Sequence, residues 1–176
     1  MRATGIIRRI DELGRVVIPK EIRRTMRLRE GEELEIFASN EELILKKYSE
    51  VKTLIDFSRD FAEAIVVGLN NPVIVTDTDT VIAAVGSGVR DYNDRQLASS
   101  LDKVLSERRT LLLTGNDCIP VIEGNNLAWQ SMIIAPIIVA GDVYGSIIMF
   151  SERAMGEPEL KTITTASIFI GKQIER

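Results

Sequence analysis

Punctuation limits what the first 50 residues can become. Turn-forming or helix-stopping residues recur at Asp11-Glu12-Leu13-Gly14, Pro19, Gly31 and Asn40. They leave room only for short strands and one helix of under about three turns. Residues 4–10 read as a strand, with Ile6, Arg8 and Ile10 on one face and Ile7 and Arg9 on the other. Gly14 is able to take the positive φ that a tight turn needs, and residues 15–18, rich in β-branched side chains, make a second strand. Pro19 ends that strand and suits the first position of a helix. The helix, over 20–27, sets Ile22 and Met26 four apart on its buried face and sends Arg23, Arg24 and Arg27 elsewhere, and Gly31 breaks it. Residues 33–38 and 42–48 form a hairpin around Asn40, with Leu34, Ile36, Leu43 and Leu45 as its apolar set. A unit this small is marginal alone and needs disulfides, a metal or a partner subunit. Residues 1–50 contain neither cysteine nor histidine, so pairing of two subunits is the remaining route.

The net charge of −4 argues against a polyanion partner, but the charge is unevenly spread. Residues 1–29 carry nine basic side chains against three acids, whereas residues 30–50 carry two against seven. A basic block at one end of an acidic chain points to nucleic acid. The competing reading is a solvated basic surface with local ion pairs, such as Arg15 with Asp11 or Glu12.

The second half reads as a larger α/β domain. Residues 51–69 form a helix, stopped by Gly68, Asn70-Asn71 and Pro72. Short strands over 73–76 and 81–85 flank Asp77-Thr78-Asp79, and an amphipathic helix covers 94–108. Strands over 111–114 and 119–122 follow, with Cys118 as a core strand residue. Residues 132–139 and 143–151 make a hairpin across Ala140-Gly141-Asp142, and a terminal helix spans 157–174. This order predicts a mainly antiparallel sheet flanked by helices. Helices 51–69 and 157–174 carry more apolar residues than one surface stripe requires. Two arrangements fit: the pair faces one another on one side of the sheet and also meets another subunit, or both are simply well buried within one domain.

The stretch Thr4-Gly5-Ile6-Ile7-Arg8-Arg9-Ile10-Asp11-Glu12-Leu13-Gly14-Arg15-Val16-Val17-Ile18-Pro19-Lys20-Glu21-Ile22-Arg23-Arg24-Thr25, continued by Leu34-Glu35-Ile36-Phe37 and Ile44-Leu45-Lys46-Lys47-Tyr48, closely resembles the AbrB-type transition-state regulators of spore-forming bacteria. The resemblance covers roughly residues 1–50. It implies a swapped-hairpin β-barrel in which two subunits exchange hairpins, and it implies DNA binding through arginines. The matching positions are Arg8, Arg15, Arg23 and Arg24, with Arg9 where the family has a basic residue. The whole chain is similar to sporulation regulators that join such a domain to a GAF domain, a small-molecule sensor fold. Residues 51–176 would then be a GAF-like sensing or oligomerisation domain, with 51–69 as a connecting helix. The expected assembly is a homodimer through the first domain and a homotetramer through the helices of the second, bound to double-stranded DNA in the cytoplasm, at the nucleoid.

Other functional classes find little support. Without histidine the chain lacks the commonest general base and metal ligand. A lone cysteine has no histidine to activate it, and a GAF-type methionine sulfoxide reductase needs several cysteines. Asp77 and Asp79 read as turn residues rather than a metal pair. Gly86-Ser87-Gly88 lacks the lysine and spacing of a phosphate loop. The expectation is no catalytic residue, no metal and no cofactor, with an unidentified effector as the open possibility. An effector cavity would lie between the sheet and residues 86–105, with Tyr92 and Trp129 as lining or, more plainly, ordinary packing residues. The longest apolar run, over 133–140, contains Pro136 and falls short of the about 20 residues a bilayer demands. A swapped-hairpin interaction module of the antitoxin kind is the alternative function.

Overall fold

The computed structural model describes residues 5–39, 42–48, 55–124 and 129–175. The chain divides into two compact units, residues 1–48 and 49–176.

In the first unit a helix α1 (Lys20–Thr25) precedes two antiparallel strands, β1 (Leu34–Ala38) and β2 (Leu43–Lys47). Pro19, at φ −59°, stands at the cap of α1. The helix ends at Arg27, whose φ of +52° turns the chain so that the Leu28 amide donates to Arg23 O at 2.7 Å. This left-handed exit, rather than Gly31, terminates α1. Lys47 Nζ then fastens β2 to that exit, donating to Arg27 O and pairing with Glu32, each at 2.9 Å. The strands expected over 4–10 and 15–18 are not formed: residues 5–18 are irregular chain around one turn, and Thr4 lies outside the described residues. A single chain supplies only this one hairpin, and a lone two-stranded hairpin is at best marginal. None of the described residues of this unit is buried. Ile7 is 87% exposed, Leu43 73% and Met26 47%, and of the two residues expected on the buried face of the helix only Ile22 is half-buried.

The second unit is built on a five-stranded antiparallel sheet of order β4-β3-β7-β6-β5: β3 (Val73–Thr76), β4 (Val81–Val85), β5 (Leu111–Thr114), β6 (Ser131–Val139) and β7 (Asp142–Ser151). The long β6–β7 hairpin turns on Ala140 and Gly141, both at positive φ (48° and 92°), as a tight two-residue hairpin turn requires. Beyond the Leu111–Ile134 pair, β6 has only β7 beside it, and Pro136, which has no N–H to give, sits in that stretch. Successive residues point to opposite faces, and both faces are covered. Ile133, Ile147 and Met149 pack beneath helices α2 (Ile55–Leu69) and α4 (Glu157–Ile174). Ile134, Ile148 and Phe150 pack against α3 (Ser99–Ser106) and the segment leading to it. The chain therefore reads as almost unbroken apolar runs in β6 and β7.

Helices α2 and α4 face each other on one side of the sheet. Phe57, Phe61 and Phe169 form a ring cluster with centroids 5.4 to 6.0 Å apart. Helix α4 starts where Glu159 Oε2 accepts the Gly156 amide at 2.9 Å.

Two expected elements are corrected. The helix over 94–108 shortens to α3, because Asp94 takes φ +60° and residues 94–97 are tied to strand β4 and its turn: Asp94 N to Val81 O, Val81 N to Arg95 O and Leu97 N to Asp79 O. The strand over 119–122 reduces to one bridge, Ile122 with Leu97. Cys118 is accordingly a half-buried residue closing a short 3-10 turn, not a core strand residue.

Candidate nucleic-acid interface

All five arginines singled out from the sequence lie in the first unit and are exposed. Arg8 and Arg9 sit on the extended segment before the turn, Arg15 just after it, and Arg23 and Arg24 in the last turn of α1. Arg8 donates from its terminal amino group to the neighbouring Ile7 O at 3.3 Å, a weak local bond. Arg23 and Arg24 carry no side-chain bond among the described residues.

Arg15 is held differently. Gly14, at φ +75°, closes a turn in which Gly14 N donates to Asp11 O (2.9 Å) and Asp11 N to Arg15 O (3.0 Å). Inside it the Asp11 carboxylate accepts three more bonds: Oδ1 from the amides of Leu13 (3.0 Å) and Arg15 (2.8 Å), and Oδ2 from Arg15 Nε (2.8 Å). Bonds from the Arg15 amide and guanidinium stabilise the ionised carboxylate and hold its pKa below the ordinary aspartate value. The ion pair with Asp11 weighed above is thus real, yet Arg15 stays 69% exposed. Sequence reasoning saw Asp11 only as a turn residue and an ion-pair partner. Its threefold acceptor role depends on the turn's backbone geometry, and the one legible signal was the spacing of Asp11 and Arg15.

The arrangement can bind anions at many points. A guanidinium stays charged at any physiological pH and can bridge two phosphate oxygens or read a guanine edge. Helix α1, with six residues, is too short to act as a recognition helix of the helix-turn-helix kind.

In the second unit packed side chains cover the sheet face beneath residues 86–105. Val89, Tyr92, Leu97, Leu101 and Leu105 pack directly on the sheet. Tyr92 meets the Phe150 ring edge-on at 6.3 Å, and Trp129 lies 5.2 Å from it. Trp129 also covers Gly88, where a Cβ would come within 3.0 Å of its ring. Both aromatics pack against Phe150, and Trp129 Nε1 is buried without a hydrogen-bond partner among the described residues. Asp77 is no free ligand either: its Oδ1 accepts the amides of Asp79 (2.8 Å) and Thr80 (2.6 Å) and folds the β3–β4 turn. Burial and the neighbouring Asp117 raise the Cys118 pKa, the opposite of what a reactive thiolate needs. A cleft of about 390 Å³ opens at the far ends of β6 and α4, between Arg108, Pro136, Ile138, Thr164, Ile168 and Lys172. No helix among the described residues is long and apolar enough to cross a membrane.

The family model described as "Stage V sporulation protein T C-terminal, transcription factor" matches residues 53–175. The Stage V sporulation protein T of Bacillus subtilis is 42% identical over the whole of both chains. The chain belongs to the stage V sporulation protein T family. Its family is thus one of sporulation transcription factors. A second family model, "Antidote-toxin recognition MazE, bacterial antitoxin", matches residues 7–53. Over 48 residues, 27% of this chain and half of the relative, the sequence is 58% identical to the transition state regulatory protein AbrB of Bacillus subtilis. This member of the stage V sporulation protein T family therefore begins with an AbrB-type domain. Among solved structures, the GAF domain of a phosphoenolpyruvate-protein phosphotransferase from Coxiella burnetii superposes with a TM-score of 0.58 at 14% identity, covering 69% of this chain and 82% of that one. At that identity the likeness establishes a GAF fold and no more.

Proposed function

We propose that this chain regulates sporulation genes by gripping duplex DNA with Arg8, Arg9, Arg15, Arg23 and Arg24 from each of two subunits. The observation that carries the proposal is the coincidence, in one unit, of five exposed guanidinium groups with an apolar set that has no core of its own. Two such units exchanging hairpins would bury Ile7, Ile10, Val16, Val17 and Leu43 together and gather ten arginines on one assembly. Residues 1–50 form the DNA-binding domain in this reading, and residues 51–176 the module that adjusts assembly or affinity. Helices α2 and α4, with Ile168 55% and Phe169 40% exposed, would join dimers into a homotetramer. The GAF-like domain would respond to an unidentified small molecule and catalyse nothing: the chain has one cysteine and no histidine. Its workplace is the cytoplasm, at the nucleoid.

Three of the five arginines lie outside any helix, on the segments flanking the turn at Asp11–Gly14, so phosphate contacts and DNA shape would count for more than base edges in choosing sites. The match to an antitoxin family model over residues 7–53 favours a second reading, a protein-binding module of the antitoxin kind. The folded 55–174 region that follows supports the regulator instead. Binding of the full chain to duplex fragments across a salt series tests the proposal. Eight phosphate contacts would give a slope of log affinity on log salt of about −7. A slope near zero, or no binding, would leave the protein-binding module.

A further inference from the structure

Asp11 is an anomaly in a DNA-binding face. A fixed negative charge in the unit that carries the five arginines repels phosphate, and electrostatics alone would make its removal favourable for binding. The turn explains why it stays. Its carboxylate fixes Arg15 at both ends, accepting from the amide at 2.8 Å and from Nε at 2.8 Å, while the Leu13 amide at 3.0 Å locks the loop between them.

We infer that Asp11 is a positioning residue for DNA recognition, acting through Arg15. The inference rests on the reading of Arg15 as a DNA contact. Arginine presents five donors, and the pairing with Asp11 uses Nε, on the inner edge of the guanidinium. The two terminal amino groups, which carry the other four donors, belong to a side chain that is 69% exposed. An unbraced arginine loses its rotamer freedom when DNA arrives, and that loss weakens binding. Arg15 loses it on folding, because the charge-assisted bond to Asp11 is short and lies inside a closed turn. Arg23 and Arg24 have no comparable brace among the described residues. The cluster therefore combines one preorganised guanidinium with several adaptable ones, and Asp11 sets which is which.

Asparagine is the discriminating substitution. Asp11→Asn keeps Oδ1 for the two amides and so keeps the turn, but its Nδ2 cannot accept from Arg15 Nε. Duplex-DNA affinity and salt slope of the full chain are measured for wild type, Asp11→Asn, Arg15→Ala and the double variant. The expected result is that Asp11→Asn weakens binding about 3- to 30-fold, the range of coupled neighbours, although it removes a negative charge. Arg15→Ala weakens binding and flattens the slope by about two for two copies. Added to Arg15→Ala, Asp11→Asn costs nothing further or tightens binding. Unchanged or tighter binding by Asp11→Asn, beside a weakened Arg15→Ala, would overturn the inference and leave the DNA reading standing. Equal weakening in both backgrounds would overturn it too, showing a general structural role. An Arg15→Ala variant that binds like wild type would remove the DNA contact and the inference together. The unsubstituted protein gives an independent readout: the Arg15 Nε–H order parameter, by nuclear magnetic resonance relaxation without DNA, is expected well above those of Arg23 and Arg24. Equal mobility would overturn the inference whatever the variants do.

Discussion

Two hairpins divide this molecule. The β6–β7 hairpin is buried on both faces, with Met132, Ile133, Ile134, Ile147 and Ile148 wholly removed from solvent. The β1–β2 hairpin has comparable apolar residues in its strands, yet Ile36 is 65% exposed and Leu43 73%. Pattern alone does not separate them. What differs is how much covering the chain brings: α2, α3 and α4 close over β6–β7, whereas the first unit offers β1–β2 only one six-residue helix. A hydrophobic pattern that its own chain cannot cover describes an interface as well as a core would. The second unit covers its sheet on both faces, and the first leaves most of its apolar residues exposed.

The sharpest contrast comes from trimming one hairpin at a time. Phe150→Ala empties the centre of the second unit, where Tyr92 and Trp129 lean on the ring. It is expected to cost about 3–5 kcal/mol, read by denaturant unfolding and independent of protein concentration. Charging the first unit should act through assembly instead. Ile10→Asp is expected to weaken self-association by at least about thirty-fold, the scale of an interface hot spot, while the second unit melts unchanged. Sedimentation across a concentration series reads both, and an Ile10→Asp chain that assembles normally would break the comparison. Next in size is the Phe57–Phe61–Phe169 face. Phe169→Asp is expected to halve the assembled mass, from tetramer to dimer, and wild type sedimenting only as dimers would confine those helices to a role within one domain. The smallest effect is chemical. Burial and Asp117 raise the Cys118 pKa, so its thiolate is scarcer at neutral pH than that of an ordinary cysteine. Alkylation at pH 7 should be slower than for a free peptide thiol and should climb only above the usual thiol pKa of about 8.5.

Much of the second unit was legible because its signals are local. Ala140-Gly141 marked the β6–β7 turn, and Asp77 marked β3–β4. Residues 94–98 misled because Leu97, Leu101 and Leu105 keep helical spacing while the backbone before Ser99 is engaged by distant groups, Val81 O and Asp79 O. Propensity cannot see such bonds. Residues 119–122 look like a strand because Val121 and Ile122 are buried, but Pro120 interrupts them and the one bridging partner is Leu97. In the first unit the alternation over 4–10 and 15–18 was plain, yet residues 5–10 and 15–18 belong to no strand. The arginines could be read as charges. The Asp11–Arg15 ion pair could be read from spacing, but the amide bonds that Asp11 also accepts could not, because they follow from the backbone of a turn closed by Gly14.

The central claim is that the first unit's arginines grip DNA, and the most direct test compares full-length wild type with Arg23→Ala/Arg24→Ala on mixed duplex fragments at several salt concentrations. These two side chains are exposed on α1 and have no bonding partner among the described residues, so their loss should leave fold and assembly intact. The account predicts weaker binding and a salt slope shallower by about three to four for two subunits, with sedimentation unchanged. Equal binding and equal slopes, or no binding by either protein, would contradict it and turn the first unit into a surface for another protein.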